Sequence, residues 1–176
     1  MHEILEIELI ESAIAGDIES FGKLCDRYYS AMASISYSIL SDHQLAEDAA
    51  QETFARTLVN IRKLKNKNKF AQWLTAICRN VAKDMLSEKN TRLNKEALSQ
   101  TKQEQNESDH QIRQAIKRLP CTMKELVVLR YYDGLSYEQI SNVLGISKAS
   151  INGRLTRAKR KMASYLRKMD LSENQL

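Results

Sequence analysis

A single proline, Pro120, and only five glycines punctuate this chain of 176 residues. A fold built from many short strands needs turn-formers between them at regular intervals, and too few are present here. Leu, Ala, Lys, Glu, Gln and Arg, which give up little rotamer freedom in a helix, supply much of the remainder. The expectation is an all-α protein. Apolar spacing agrees, because Phe21, Leu24, Cys25, Tyr28 and Tyr29 recur at the i, i+3, i+4 intervals of a buried helical stripe, which Ile35, Ile39 and Leu40 continue.

Polar breaks divide the pattern. Ser41, Asp42 and His43 interrupt it, after which Leu45, Ala49, Phe54, Leu58 and Ile61 read as another helix with charged residues between them. Residues 63–69 are too polar to bury, and Phe70, Trp73, Leu74, Ile77, Val81 and Met85 then restore helical periodicity. These segments predict one helical bundle over residues 1–88. Residues 89–109 carry essentially Leu93, Ala97 and Leu98 as apolar side chains among Asn, Gln, Lys, Glu and Ser, too few for a core, and read as a flexible linker. The stripe returns at Ile112, so a second small helical domain is expected over residues 110–176. No internal repeat of 20–50 residues joins the two halves.

The second half carries a sharper signal. Pro120 suits a first helical turn, where its missing N–H costs nothing, and Gly134 suits the stop after Leu126, Val127, Leu129 and Arg130. Ser136 followed by Gln139 forms a capping box for a short helix that turns Ile140, Val143 and Leu144 inward. Gly145 permits a left-handed turn, and Ser147 caps a third helix from Lys148. Helix, tight turn and helix at this spacing form a helix-turn-helix, whose second helix presents its first residues to a DNA major groove. Between Glu138 and Asp170 there is no acidic residue, whereas Lys148, Arg154, Arg157, Lys159, Arg160, Lys161, Arg167 and Lys168 are basic. The overall charge of +5 is too modest to imply a polyanionic partner, so the local distribution decides. Ile151, Leu155, Ala158, Met162 and Leu166 share the inward face. Lys148, Ser150, Asn152, Gly153, Arg154 and Arg157 are the candidate DNA contacts, with the small Ala149, Ser150 and Gly153 allowing close approach and the arginines suited to phosphates.

Other functions are disfavoured. Cys25, Cys78 and Cys121 are odd in number and far apart, which suggests small core residues in a reducing cytoplasm rather than disulfides or a zinc site. The N-terminus lacks the basic flank and apolar run of a secretory leader or membrane span. No Walker loop, nucleophile elbow or metal-ligand spacing occurs, so no catalytic residue, metal, cofactor or small-molecule substrate is expected and the chain is read as no enzyme.

Residues 119–166, LPCTMKELVVLRYYDGLSYEQISNVLGISKASINGRLTRAKRKMASYL, resemble domain four of the extracytoplasmic-function sigma factors of bacterial RNA polymerase. That family reads LRY-x-x-G-L-S-Y-x-E/Q-I before its recognition helix. AEDAAQETFARTL at residues 46–58 is similar to the family's A-E-D-x-x-Q-E-x-F helix, and FAQWLTAICRNVAKD at residues 70–84 to its F-x-x-W-L helix. The resemblance implies a cytoplasmic, stress-responsive sigma factor whose partners are RNA polymerase core, promoter DNA and an anti-sigma factor. It places Asp48, Gln51 and Glu52 on polymerase, and assigns the minus-35 element to the helix-turn-helix. For the minus-10 element it implies Lys65, Lys67, Asn68, Lys69, Arg79, Asn80 and Lys83, the loop residues capturing a flipped base. Helical spacing with Phe70, Leu74 and Ile77 makes Trp73 a core residue rather than a stacking platform. The rival reading is a helix-turn-helix regulator that binds operators directly, which predicts affinity for DNA without polymerase.

Overall fold

The computed structural model describes residues 2–93 and 107–173. Among them are eight α-helices and no strand: α1 (His2–Ala15), α2 (Ile18–Leu40), α3 (His43–Asn60), α4 (Phe70–Leu93), α5 (Glu107–Lys117), α6 (Cys121–Tyr131), α7 (Tyr137–Leu144) and α8 (Lys148–Glu173). Two short 3-10 turns, Ile61–Lys63 and Lys67–Lys69, lie between α3 and α4. Of the segment expected as a linker, α4 takes the first residues through Leu93 and α5 begins at Glu107; the remainder lies outside the described residues.

The helix ends follow the polar breaks. Asp17 starts α2 by accepting from the Glu19 and Ser20 amides at 3.3 and 3.1 Å. Ser41 ends the same helix at φ 53°, where its amide returns to the Tyr37 carbonyl at 2.9 Å, and Asp42 at once caps α3 through the Leu45 amide at 3.2 Å. Two residues therefore reverse the chain. Left-handed backbone at a non-glycine residue costs about 1–2 kcal/mol, and Ser41 is held there while its hydroxyl accepts from Lys124 Nζ at 3.0 Å. Asp42 also receives Lys89 at 2.9 Å, and this hydrogen bond holds its carboxyl below the usual range.

Helix α2 runs through the middle, with α1, α3, α4 and α6 packed around it. The largest buried cluster joins Ile10, Leu24, Met32, Ile35 and Leu74 to Leu126, Leu129, Ile140, Ile151 and Leu155, so apolar side chains of both halves meet in one continuous core. Each fully buried side chain of this size contributes roughly 1.5–3 kcal/mol. A smaller cluster of Leu40, Ala49, Val81 and Ala82 closes the far end of the N-terminal bundle.

Three sequence expectations change. Leu58, expected inside, is 41% exposed. The inward positions of α3 run through Ala46, Ala49, Ala50, Thr53, Phe54 and Thr57, and the two threonines are buried because their hydroxyls bond to the Ala49 and Thr53 carbonyls at 2.6 and 2.7 Å. Periodicity that counts only apolar residues overlooks such self-satisfied threonines. Cys121 is exposed and Cys25 half-buried, leaving Cys78 as the buried thiol; Cys121 stands at the start of α6, where the first turn opens outward. Trp73 is only partly buried, since one side packs towards Phe70 while the other borders a surface hollow. No helix among the described residues is long and apolar enough to cross a membrane.

Candidate nucleic-acid interface

The turn before α8 is built as its residues dictate. The Gln139 amide donates to Ser136 Oγ at 3.2 Å and the Ser136 amide donates to Gln139 Oε1 at 2.8 Å, completing the capping box of α7. Gly145 ends α7 at φ 68°, its amide returning to the Ser141 carbonyl at 2.9 Å. Ser141 Oγ then donates to the Ile146 carbonyl at 2.7 Å and fastens the turn. Ser147 Oγ accepts from the Ser150 amide at 3.2 Å, which sets the first turn of α8. Ile140 and Val143 of α7, and Ile151, Leu155 and Ala158 of α8, are buried against one another and against α6.

That packing leaves a defined outer arc. Lys148, Asn152, Gly153 and Arg157 are exposed, while Ser150 and Arg154 are half-buried at its edge. Arg157 Nε donates to the Gly153 carbonyl at 3.2 Å, which ties the exposed side chain to its own helix. Lys148 is paired with Glu138 at the start of α7, an exposed pair that solvent and salt readily exchange for another anion. A Cβ built on Gly153 meets nothing within 4 Å. Glycine inside a helix costs about 0.5–1 kcal/mol relative to alanine. Gly153→Ala should therefore raise the melting temperature by a few degrees; a simultaneous drop in promoter-dependent transcription identifies the bare backbone as a place of close approach. Calorimetry and run-off transcription on one preparation check both.

The loop before α4 makes a second cationic surface. Asn66 Oδ1 accepts from the Asn68 amide at 3.0 Å and shapes the 3-10 turn, leaving Lys65, Lys67, Asn68 and Lys69 exposed. Lys67 meets Glu11 of α1 at 2.5 Å. Lys63, Leu64, Lys65, Asn66, Lys69, Gln72 and Trp73 line a shallow hollow of about 420 Å³. Its apolar floor and cationic rim suit an unstacked base with its phosphate. Trp73, Leu64 and Gln72 were not singled out in the sequence as contacts; the lysine-rich loop running straight into an aromatic helix start is the signal that points to them. Further along α4, Asn80 and Lys83 are exposed. Arg79 is not free, because its Nε and Nη2 donate to Glu125 Oε1 of α6 at 3.2 and 2.7 Å. Burial holds the Glu125 carboxyl above the usual carboxylate range, although Arg79 and Arg154 act in the opposite direction.

The third surface is on α3. Asp48 and Gln51 are exposed and Glu52 is half-buried, paired with Arg56 at 2.7 Å. Arg56 reaches Asp84 at 3.3 Å as well. On the same helix Val59 is 80% exposed, so an acidic turn is followed by an uncovered apolar end. Two of the three surfaces are thus cationic, one in each half, and the third, on α3, is acidic.

Comparison with known proteins accounts for this arrangement. Residues 24–92 match the family profile described as Sigma-70 region 2, and residues 109–162 match Sigma-70, region 4. The chain is 30% identical over 172 residues to the ECF RNA polymerase sigma factor BldN of Streptomyces coelicolor, covering 91% of this chain and 65% of BldN. It is 27% identical over 184 residues to the ECF RNA polymerase sigma factor SigW of Bacillus subtilis, covering 94% of this chain and 98% of SigW. The chain spans only 40% of a third relative, the probable RNA polymerase sigma factor RfaY of Xanthomonas campestris, at 29% identity and with 84% of this chain covered. Among solved structures, CnrH in complex with the cytosolic domain of CnrY shares the fold with a TM-score of 0.63 at 22% identity, over 92% of this chain and 97% of that one.

A helical chain carrying Sigma-70 region 2 and region 4, with a capped helix-turn-helix, belongs to the sigma-70 class. The likeness to BldN and SigW then places it more narrowly, and the chain belongs to the extracytoplasmic-function subfamily of RNA polymerase sigma factors.

Proposed function

We propose that this chain docks on bacterial RNA polymerase core through Asp48, Gln51 and Glu52 of α3 and brings it to promoters read at two places. Lys65, Lys67, Asn68, Lys69, Asn80 and Lys83, with Arg79 once it is released from Glu125, contact the minus-10 element, and the hollow beside Trp73 receives an unstacked base. Lys148, Ser150, Asn152, Gly153, Arg154 and Arg157 hold the minus-35 major groove. Opening a base step costs a few kcal/mol, which phosphate and base contacts offset without a nucleophile or a metal. Bond-making belongs to polymerase; the chain itself is no enzyme, needs no cofactor and works in the cytoplasm under stress control.

The observation that carries this reading is the outer arc of α8, free of acidic residues and set by a capped turn, on a chain whose other half presents an acidic α3. An anti-sigma factor is a proposed further partner, since the similarly folded sigma factor RpoE of Bartonella quintana is solved in complex with the anti-sigma factor NepR. In vitro transcription with purified core on a library of genomic promoter fragments tests the proposal, together with gel shifts with and without core. Start sites that share two elements, and DNA binding that is weak alone but strong and salt-sensitive with core, are the expected results. Tight operator binding without core would instead favour a direct regulator.

A further inference from the structure

Two residues of the outer arc of α8 are held from the first turn of α7. Glu138 is paired with Lys148, and the Tyr137 hydroxyl donates to Asn152 Oδ1 at 3.5 Å. Lys148 and Asn152 stand at i and i+4, one turn apart on the same exposed face. Tyr137 is itself braced from α6. The Arg130 guanidinium lies over its ring, 5.4 Å from the centroid, while Arg130 Nη1 donates to the Leu135 carbonyl at 2.8 Å and fixes the turn that leads into α7. Tyr137 is half-buried and packs against the main core, whereas Asn152 is exposed. A line of contacts thus runs from α6 through α7 to a side chain on the face proposed for DNA.

An asparagine with both amide atoms free reads adenine, because Oδ1 accepts from the N6 amino group while Nδ2 donates to N7. Asn152 is not free in that way. Its bond to Tyr137 is long and contributes little to stability, but it sets which amide atom faces α7. A guanidinium over a phenol ring withdraws charge from it, which makes the hydroxyl a stronger donor and a poorer acceptor, so the hydroxyl meets Oδ1 rather than the Nδ2 protons. With Oδ1 occupied, Nδ2 and its donors are what remains for the groove. On the major-groove edge only guanine offers a pair of acceptors, N7 and O6, and no donor. Adenine and cytosine each place an amino group there, and thymine offers O4 beside its methyl.

We propose that Tyr137 is a positioning residue for base readout: by occupying Asn152 Oδ1 it makes Asn152 a donor-only reader, which selects guanine over adenine at one base pair of the promoter element held by α8. Tyr137 acts through Asn152, and Arg130 keeps its hydroxyl a donor. This rests on the sigma-factor reading above and goes beyond it by assigning a base preference to one side chain and the origin of that preference to a neighbouring helix.

Selection from a randomised minus-35 element by the full-length chain, with core polymerase and without it, tests the proposal. Asn152→Ala identifies the base pair, because the position at which preference disappears is the one that Asn152 reads. There the wild-type chain should favour guanine over adenine in its place by about tenfold. Tyr137→Phe keeps the ring under Arg130 and removes only the hydroxyl, so Oδ1 is released and the ratio of guanine to adenine should fall by about tenfold at that pair alone. An A·T pair preferred there by the wild-type chain, no position altered by Asn152→Ala, or a Tyr137→Phe chain that binds all sequences more weakly with an unchanged profile overturns the proposal. Should Tyr137→Phe fail to fold, Asn152→Asp decides. It keeps the shape of an exposed side chain but presents only acceptors, so guanine should give way to cytosine, which donates from N4; a retained preference for guanine overturns the proposal. A wild-type chain that enriches such an element without core but never redirects core to it would instead count against the sigma-factor reading and leave the base reader in place.

Discussion

Arg154→Ala combined with Arg157→Ala is expected to weaken promoter binding by the polymerase complex about thirtyfold near 0.15 M salt. Each phosphate contact adds about −0.9 to the slope of log affinity against log salt, so losing two contacts costs roughly a factor of five apiece at that concentration. The salt slope itself should become shallower by about two. Binding of the chain to core, which the proposed function routes through α3, should stay as it was. Titrations of a fluorescent promoter fragment at several salt concentrations supply both numbers. An unchanged slope would mean that the outer arc of α8 meets no phosphate, and the assignment of the minus-35 contacts would have to move to another face. Arg157 is exposed and its side chain bonds only to its own helix, so little of its effect should pass through stability. Arg154 is half-buried and acts on the Glu125 carboxyl, which makes the single Arg157→Ala variant the cleaner control.

Leu74→Ala is expected to produce the larger effect on stability. Leu74 is fully buried where α4 meets the common core that joins both halves. Removing a buried leucine side chain costs about 2–5 kcal/mol, with the upper end where neighbours cannot collapse into the space. For a chain of this length that corresponds to a fall of about 6–15 °C in melting temperature. The position lies between Trp73 of the surface hollow and Thr75 of the contact with α7, so the cavity should loosen both. A single cooperative transition that moves down as a whole is the outcome that fits a shared core. Two separated transitions, with only the earlier one shifted, would show that the halves unfold independently. Differential scanning calorimetry distinguishes them.

Much of the local structure was legible in the residues. Asp17, Asp42, Ser136 and Ser147 cap helices through side-chain oxygens, and Gly145 adopts the left-handed backbone that its place after Leu144 suggested. Caps and turns are decided within four or five residues, which is why they can be read without knowing the rest of the chain. The outer arc of α8 was legible for the same reason, since helical periodicity alone separates Ile151, Leu155 and Ala158 from Asn152, Gly153 and Arg157. The acidic turn of α3 was found through the resemblance of residues 46–58 to the family's A-E-D-x-x-Q-E-x-F helix, with periodicity adding only that Asp48, Gln51 and Glu52 share its polar side. Where periodicity misled, the cause was chemical: Thr53 and Thr57 satisfy their hydroxyls inside α3 and take the place that Leu58 seemed to own.

The sequence by itself determined the all-α class, the capped turn and the sign of each surface, because these rest on propensity, capping and charge among near neighbours, whereas α1 and the extension of α4 to Leu93 and of α5 back to Glu107 were not read from it. Only the tertiary structure decided that Arg79 faces Glu125, that Thr75 meets Val143, and that Trp73 has one side in the core and the other in an open hollow. Those pairings lie dozens of residues apart and depend on how α6 and α7 settle against α2 and α4. No local preference encodes such docking, since an arginine on a helix face is equally suited to a phosphate or to a carboxylate until a neighbouring helix supplies one.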